Sequence, residues 1–258
     1  MMDFPRLSNA IEGSINNLLA YGKEVNTGHW QGYNTEGKPD LTTDEVVNLS
    51  WSAPIPATQA DLLDECDPSM PWADLEFKER VGRVPRNPHQ SLQYWPWWHE
   101  QTESTMYDGM FSHTYSERFW PRDSVPKFRT MMGVRYHYGD LDDVISLLHL
   151  HPLTRQATFP IFFPEDTGAV HGGRIPCTLH YHFLNRENLL HLWYPIRSCD
   201  AVRHFRDDVY MAGRLCQWVL DELRFKDDVW EDVKPGNLYF TAYSFHVHRG
   251  DKHQLRSR

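Results

Sequence analysis

The chain has no long apolar run. Its hydrophobic stretches last only a handful of residues, against the ~20 that a membrane-spanning helix needs, so no membrane partner is expected. The opening MMDFPRLSNAIEGS has no basic segment followed by an apolar one; a secretory signal is therefore not expected, and the reading is a cytoplasmic protein. Positive charge is also short: 26 Lys and Arg stand against 35 Asp and Glu, a formal charge of −9. Proteins that track a nucleic-acid backbone carry a basic footprint, so no direct nucleic-acid partner is expected. A mononucleotide needs only a few placed arginines and stays open. Cysteine is sparse, with Cys66, Cys177, Cys199 and Cys216 widely spread and no CxxC pair. That is no disulfide framework; it reads as reduced thiols, one of which could be reactive. The 15 His include HLH (149–151), HYH (180–182) and HVH (246–248). None is joined to a second ligand pair at motif spacing, so no metal is expected. Internal repeats and low-complexity tracts are absent.

What is present is aromatic bulk, 10 Trp, 13 Phe and 12 Tyr among 258 residues. A sizeable core follows, and the chain reads as one domain over 1–258. Residues 8–22 predict a helix, with Ile11, Ile15, Leu18 and Leu19 on one face and Gly22 as the stop. A loop-rich stretch is expected from there to about 70. DLDDVISLLHL (140–150) repeats Leu141, Val144, Ile145 and Leu148 on a helical face, ended by Pro152. Strand-like runs follow at 157–163, 177–183 and 189–196, the last two joined by NREN as a hairpin. From 201 to 224, Val202, Phe205, Val209, Ala212, Cys216, Val219 and Leu223 mark a long helix with Asp200 at its N-cap. NLYFTAYSFHVH (237–248) reads as a long strand opened by Pro235-Gly236. The expected class is α+β, a mixed or antiparallel sheet packed with helices.

Three places carry candidate chemistry. Along the last strand one face holds Leu238, Phe240, Ala242, Ser244, His246 and His248; it ends polar, so it either emerges into solvent or lines a cavity. Asp208 flanks the apolar stripe of the long helix beside Val209, as a solvated flank or as a paired carboxylate. Cys177 follows Pro176 and the turn HGGR (171–174) at the start of a strand. Pairing with the next strand would let Arg197 approach it, and nearby cations are what stabilise a nucleophilic thiolate.

Taken together, PC (176–177), RSCD (197–200), Asp208 and PGNLYFTAYSFHVH (235–248), with GDLDDVISLLHLHPLTRQ (139–156) upstream, resemble the thymidylate synthase superfamily. The likeness runs from about 139 to 250 and is vague before 110. It implies that fold, as a homodimer with shared sites. It implies that Cys177 adds to C6 of a pyrimidine nucleoside monophosphate, making C5 a nucleophile towards 5,10-methylenetetrahydrofolate. Arg197 and Ser198 would bind phosphate, Arg155 would reach the other subunit's site, and Asp200 would contact the folate. His246 and His248 would meet the sugar hydroxyl. Glu79, with Glu76 as runner-up, would organise water near the base, and Tyr115 would lie near the cysteine.

Departures from the family pattern refine this expectation. The base-reading residue is Asn in thymidylate synthases and Asp208 here, as in deoxycytidylate hydroxymethylases. A carboxylate accepts the cytosine 4-amino proton and repels the uracil O4, so dCMP is favoured over dUMP. Gln156 replaces a second arginine, His248 a Tyr and His182 a Gln. GKEVNTG (22–28) offers no phosphate-loop arginine. The sequence ends at RGDKHQLRSR without the tail that closes over folate, which leans towards a hydroxymethyl product, as in phage nucleotide modification. The alternatives are a thymidylate synthase or C5-methylase on dUMP or dCMP, and a catalytically idle nucleotide-binding relative.

Overall fold

The computed structural model describes residues 1–30, 33–97, 109–123, 139–169 and 175–256. In chain order its strands are β1 (Met2–Asp3), β2 (Lys23–Val25), β3 (His29–Trp30), β4 (Tyr33–Asn34), β5 (Thr43–Pro54), β6 (Thr158–Pro160), β7 (His180–Arg186), β8 (Leu189–Asp200) and β9 (Lys234–His248). The α-helices are α1 (Leu7–Tyr21), α2 (Gln59–Cys66), α3 (Trp72–Val81), α4 (Tyr115–Phe119), α5 (Leu141–Leu150) and α6 (Phe205–Lys226). The fold is α+β, an open mixed sheet packed with helices. Sheet order is β1-β5-β9-β8-β7-β6, with β2 also on β5. The β8–β9 and β1–β5 pairs are parallel, and β5–β9 and β7–β8 antiparallel.

Alternation of side chains gives the sheet two faces. Leu190, Leu192, Tyr194 and Ile196 of β8, with Leu238, Phe240 and Ala242 of β9, are buried on one of them. Helix α6 packs there through Phe205, Val209, Ala212, Cys216, Val219 and Leu223, the stripe that its spacing predicts. The opposite face carries His182, Trp193 and Tyr239, half-buried, with the Trp193 and Tyr239 rings stacked 4.2 Å apart.

The helix over 141–150 forms with a capping box: Asp140 caps the first turn, and the Asp143 side chain returns to the Asp140 amide. The β7–β8 hairpin turns through Glu187 and Asn188, both at positive φ (54° and 58°), the geometry that suits a tight two-residue turn. Four expectations need correction. Gln59–Cys66, within the stretch read as loop, is helix α2 with Thr58 as its N-cap. Residues 43–54, read as loop, are a central strand paired along its length with β9. The strand expected over 157–163 stops at Pro160, because the Ile161 and Phe162 amides both turn to the Leu179 carbonyl (2.9 and 3.0 Å). Asp200 is not the N-cap of α6, which His204 occupies; its Oδ1 accepts the Val202 and Arg203 amides (2.9 and 3.0 Å) in the turn before the helix. The HGGR turn at 171–174 lies outside the described residues.

Candidate active site

A cavity of about 120 Å³ opens where α3, the segment 89–95, the loop into α4, the start of α6 and the edge of β8 meet. Helix α3 builds one wall. Trp72, Glu76 and Arg80 recur every four residues along it, beside the buried Ala73, Phe77 and Val81. Two opposite charges therefore sit within the buried stripe of one helix. Arg80 Nε donates to Glu76 Oε1 at 2.9 Å, with both side chains about 6% exposed. Glu76 Oε2 faces His89 Nδ1 at 2.6 Å and accepts the Ser91 hydroxyl at 2.9 Å. Burial alone would raise the Glu76 pKa, but His89 and Arg80 outweigh it and hold the carboxyl ionised well below the usual range. His89 Nε2 meets Ser116 Oγ at 2.7 Å, so the imidazole bridges α3 and α4.

Cys177 enters from the opposite side. It precedes Thr178, which bridges to Ile196 of β8, and its carbonyl accepts the Arg197 amide at 2.8 Å. It is a partly buried free thiol on the cavity wall. Beneath it, hydroxyls run as a chain: Tyr115 to Thr178 at 3.1 Å and Thr178 to Tyr194 at 3.1 Å, and Tyr194 to the Asp208 carboxyl. Asp208 stands in the first turn of α6 and reaches the same cavity. Its pKa is raised to about 7: burial of the carboxyl dominates, Arg80 counteracts, and Asp207 adds repulsion. Burial also raises the Tyr115 hydroxyl, with Cys177 and Asp208 adding to it, so Tyr115 keeps its proton. Arg80 lies 4.0 Å over the Tyr115 ring, tying the two walls together.

The structure thus brings Cys177, Asp208, Tyr115 and Ser198 to one cavity. Glu79, expected as the catalytic carboxylate, does not line the cavity and spends both oxygens on the Gln90 and Ser91 amides (2.9 and 3.0 Å). The runner-up, Glu76, lines the cavity instead. His182 is a correction of parity: it lies on the other face of the sheet from buried Tyr181 and Phe183, bonded to Thr158 Oγ1 at 2.7 Å. Arg197 directs its guanidinium to the Pro176 and Ile175 carbonyls, each at 2.9 Å, bracing the segment that carries Cys177. Arg155 and Gln156 are exposed and do not line the cavity of their own chain. Asp200, His246 and His248 do not line it and gather with one another at the ends of β8 and β9.

Sequence reasoning missed Arg80, His89, His113, His204 and the wall of Trp72 and Trp95. Trp95 stacks on His204 at 5.1 Å, which joins the 89–95 segment to the start of α6. Among these, the Trp72, Glu76, Arg80 spacing was a readable signal. Chemically, the arrangement offers a thiol, a carboxyl that titrates near neutrality, a fixed carboxylate and hydroxyl donors around one aromatic-walled space. No protein-family model matches the chain, and no curated protein matches it.

Proposed function

We propose that the chain is a thymidylate synthase-like enzyme that hydroxymethylates C5 of a pyrimidine nucleoside monophosphate, dCMP, using 5,10-methylenetetrahydrofolate. The observation that carries the reading is that Cys177 and Asp208, from distant segments, face one cavity with the Asp208 carboxyl raised to about 7. A nucleophile for C6 and a proton for the N3 edge are the two things that C5 activation of cytosine needs.

In this mechanism the Cys177 thiolate adds to C6. The C5=C6 pair moves through the ring as protonated Asp208 hydrogen-bonds or protonates N3. The enamine carbon C5 would then attack the folate methylene, breaking the first of its two C–N bonds and leaving the second to break as tetrahydrofolate departs. C5 loses its proton to water held near Glu76, and tetrahydrofolate departs with a proton. Water adds to the exocyclic methylene, and Cys177 leaves C6 as the thiolate, restoring the double bond while N3 returns its proton to Asp208. Glu76 already receives Arg80, His89 and Ser91, so it orders water as a carboxylate rather than cycling a proton. Tyr115 remains a donor beside the thiol. With its proton given to N3, the oxygen left on Asp208 accepts the cytosine 4-amino hydrogen and would oppose the uracil O4, which supports dCMP over dUMP.

The half-buried aromatic face around Trp193 and Tyr239, with Tyr243 50% and Val47 73% exposed at the sheet surface, supports a homodimer built through the sheet. Arg155 would then act in the partner's site, since it does not line its own. The folate contact expected of Asp200 has weaker support, because Oδ1 is occupied by two amides. Four free cysteines fit a cytoplasmic, reducing compartment. No described helix is long and apolar enough to cross a membrane.

The test is trapping with 5-fluoro-dCMP and methylenetetrahydrofolate, because C5 fluorine cannot leave as a proton. A ternary adduct mapped by mass spectrometry to Cys177 is expected. An adduct with 5-fluoro-dUMP alone moves the chain to the dUMP alternative, and no adduct with either refutes the covalent reading.

A further inference from the structure

Two clusters of His and carboxylate groups bring three ligand atoms within 4.8 Å of one another: Glu76 with Glu79 and His89, and Asp200 with His246 and His248. The first is explained by its own hydrogen bonds. Arg80 and Ser91 donate to Glu76, and the Gln90 and Ser91 amides to Glu79. The second is built differently.

We propose that Asp200, His246 and His248 form a binding site for one divalent transition-metal ion of the zinc class at the ends of β8 and β9. Asp200 and His246 are register partners across the parallel β8–β9 pair, and His248 lies two residues further along the same face of β9. All three therefore project from rigid backbone. The tautomers follow from the neighbours. A carbonyl only accepts, so the contact of His248 Nδ1 with the Leu41 carbonyl (3.3 Å) puts the proton on Nδ1. In the neutral ring the lone pair is then at Nε2, 3.9 Å from Asp200 Oδ2. Ser244 Oγ gives its hydrogen to Glu45 (2.8 Å) and so accepts from His246 Nδ1 at 3.5 Å, which places the lone pair of the neutral His246 ring at Nε2. Asp200 is oriented by the two amides on Oδ1. Two imidazoles with a backbone carbonyl and a hydroxyl fixing their far nitrogens, plus one held carboxylate, are the pattern of a metal site with its supporting shell.

The surrounding charge agrees. Arg203 lies 3.8 Å from Asp200 Oδ2, yet its Nε donates to Asp251 at 2.8 Å. Asp200 and Asp251 thus share one guanidinium, and Glu45 accepts the Ser244 hydroxyl beside His246. Ligand bonds of about 2.0–2.2 Å require the three atoms to draw together by roughly an ångström, within reach of side-chain rotation. Three protein ligands leave further coordination positions for water or a hydroxyl group. In the nucleotide reading that hydroxyl is the sugar's, but the site does not rest on that reading.

The experiment uses the full chain freed of any affinity tag, stripped with chelator and titrated with Co²⁺ and then Zn²⁺. One equivalent of Co²⁺ with visible d–d absorption is expected, displaced by Zn²⁺. His246→Ala and His248→Ala should each lose the band while circular dichroism stays native. Ser244→Ala, which keeps all three ligands, should weaken binding by about 10–100-fold. Absence of the band in the wild-type chain overturns the proposal without needing any variant, and so does a band that survives both histidine substitutions. Trapping at Cys177 reads a different event, so failure of the metal site and failure of the nucleotide reading are told apart.

Discussion

Replacing Asp208 with Asn should change how stability depends on pH. The carboxyl ordinarily titrates near 3.8 and is raised to about 7 in the fold, chiefly by burial. Between those values the folded chain binds more protons than the unfolded one, so stability falls as pH rises from about 4 to about 7 and levels off above. At ~1.4 kcal/mol for each tenfold change, the full cost of holding the ionised carboxyl is about 4 kcal/mol, less where water reaches it through the cavity mouth. Asp208→Asn carries no ionisation and keeps an oxygen to accept the Tyr194 hydroxyl. Urea unfolding of both proteins at pH 5 and pH 8 isolates the effect, because every other titrating group is common to them. The stability of Asp208→Asn relative to wild type should rise by about 2–3 kcal/mol between the two pH values. Parallel pH curves would refute the reasoning: Asp208 would then ionise as it does in water, and no proton would be held for a base at neutral pH.

The same substitution should shift nucleotide preference from dCMP towards dUMP, read as the ratio of kcat/KM values; an unchanged ratio removes Asp208 from base reading. Cys177→Ser should lose turnover with its unfolding midpoint nearly intact, as the side chains are close in size; near-native turnover would end the covalent mechanism. Glu76→Gln strips the counter-charge from buried Arg80 and should cost about 3–5 kcal/mol in urea unfolding. Glu79→Gln, whose amide oxygen can still accept the Gln90 and Ser91 amides, should cost about 1 kcal/mol or less. Equal costs would contradict the placement of the two glutamates. Asp166→Asn breaks a fully buried pair with Arg118 (2.7 and 2.8 Å) and should lower the unfolding free energy by a comparable ~3–5 kcal/mol in urea; a neutral result would mean that the pair adds nothing to the packing of α4.

Much of the framework was legible because its periodicity is local. The α6 stripe, the capped helix at 141–150 and the hairpin at 187–188 each follow from spacing within a few residues. Strand β5 was not legible. Asn48 takes a left-handed φ of 59° and breaks the alternation, and Asp44, which looks like a loop residue, is buried because Arg249 and Lys252 neutralise it. Cys177, at a strand start after Pro176, and Asp208, on the flank of the α6 stripe, were weak signals by spacing and were joined into one site by the family resemblance. Glu76 could have been preferred to Glu79 on spacing alone, four residues from both Trp72 and Arg80. His182 was misplaced because likeness along the chain does not settle which way a strand residue points. Its neighbours Tyr181 and Phe183 are buried, and period two puts His182 on the far face. His89 and Trp95 had no local signal; only tertiary packing brings them to α3 and α6.

The most direct test of the central claim is release of tritium from C5-labelled dCMP and dUMP with methylenetetrahydrofolate present, with the product weighed by mass spectrometry. The account predicts release from dCMP and a product heavier by a hydroxymethyl group in place of hydrogen. Release from dUMP alone with a methyl product, or release from neither, would contradict it.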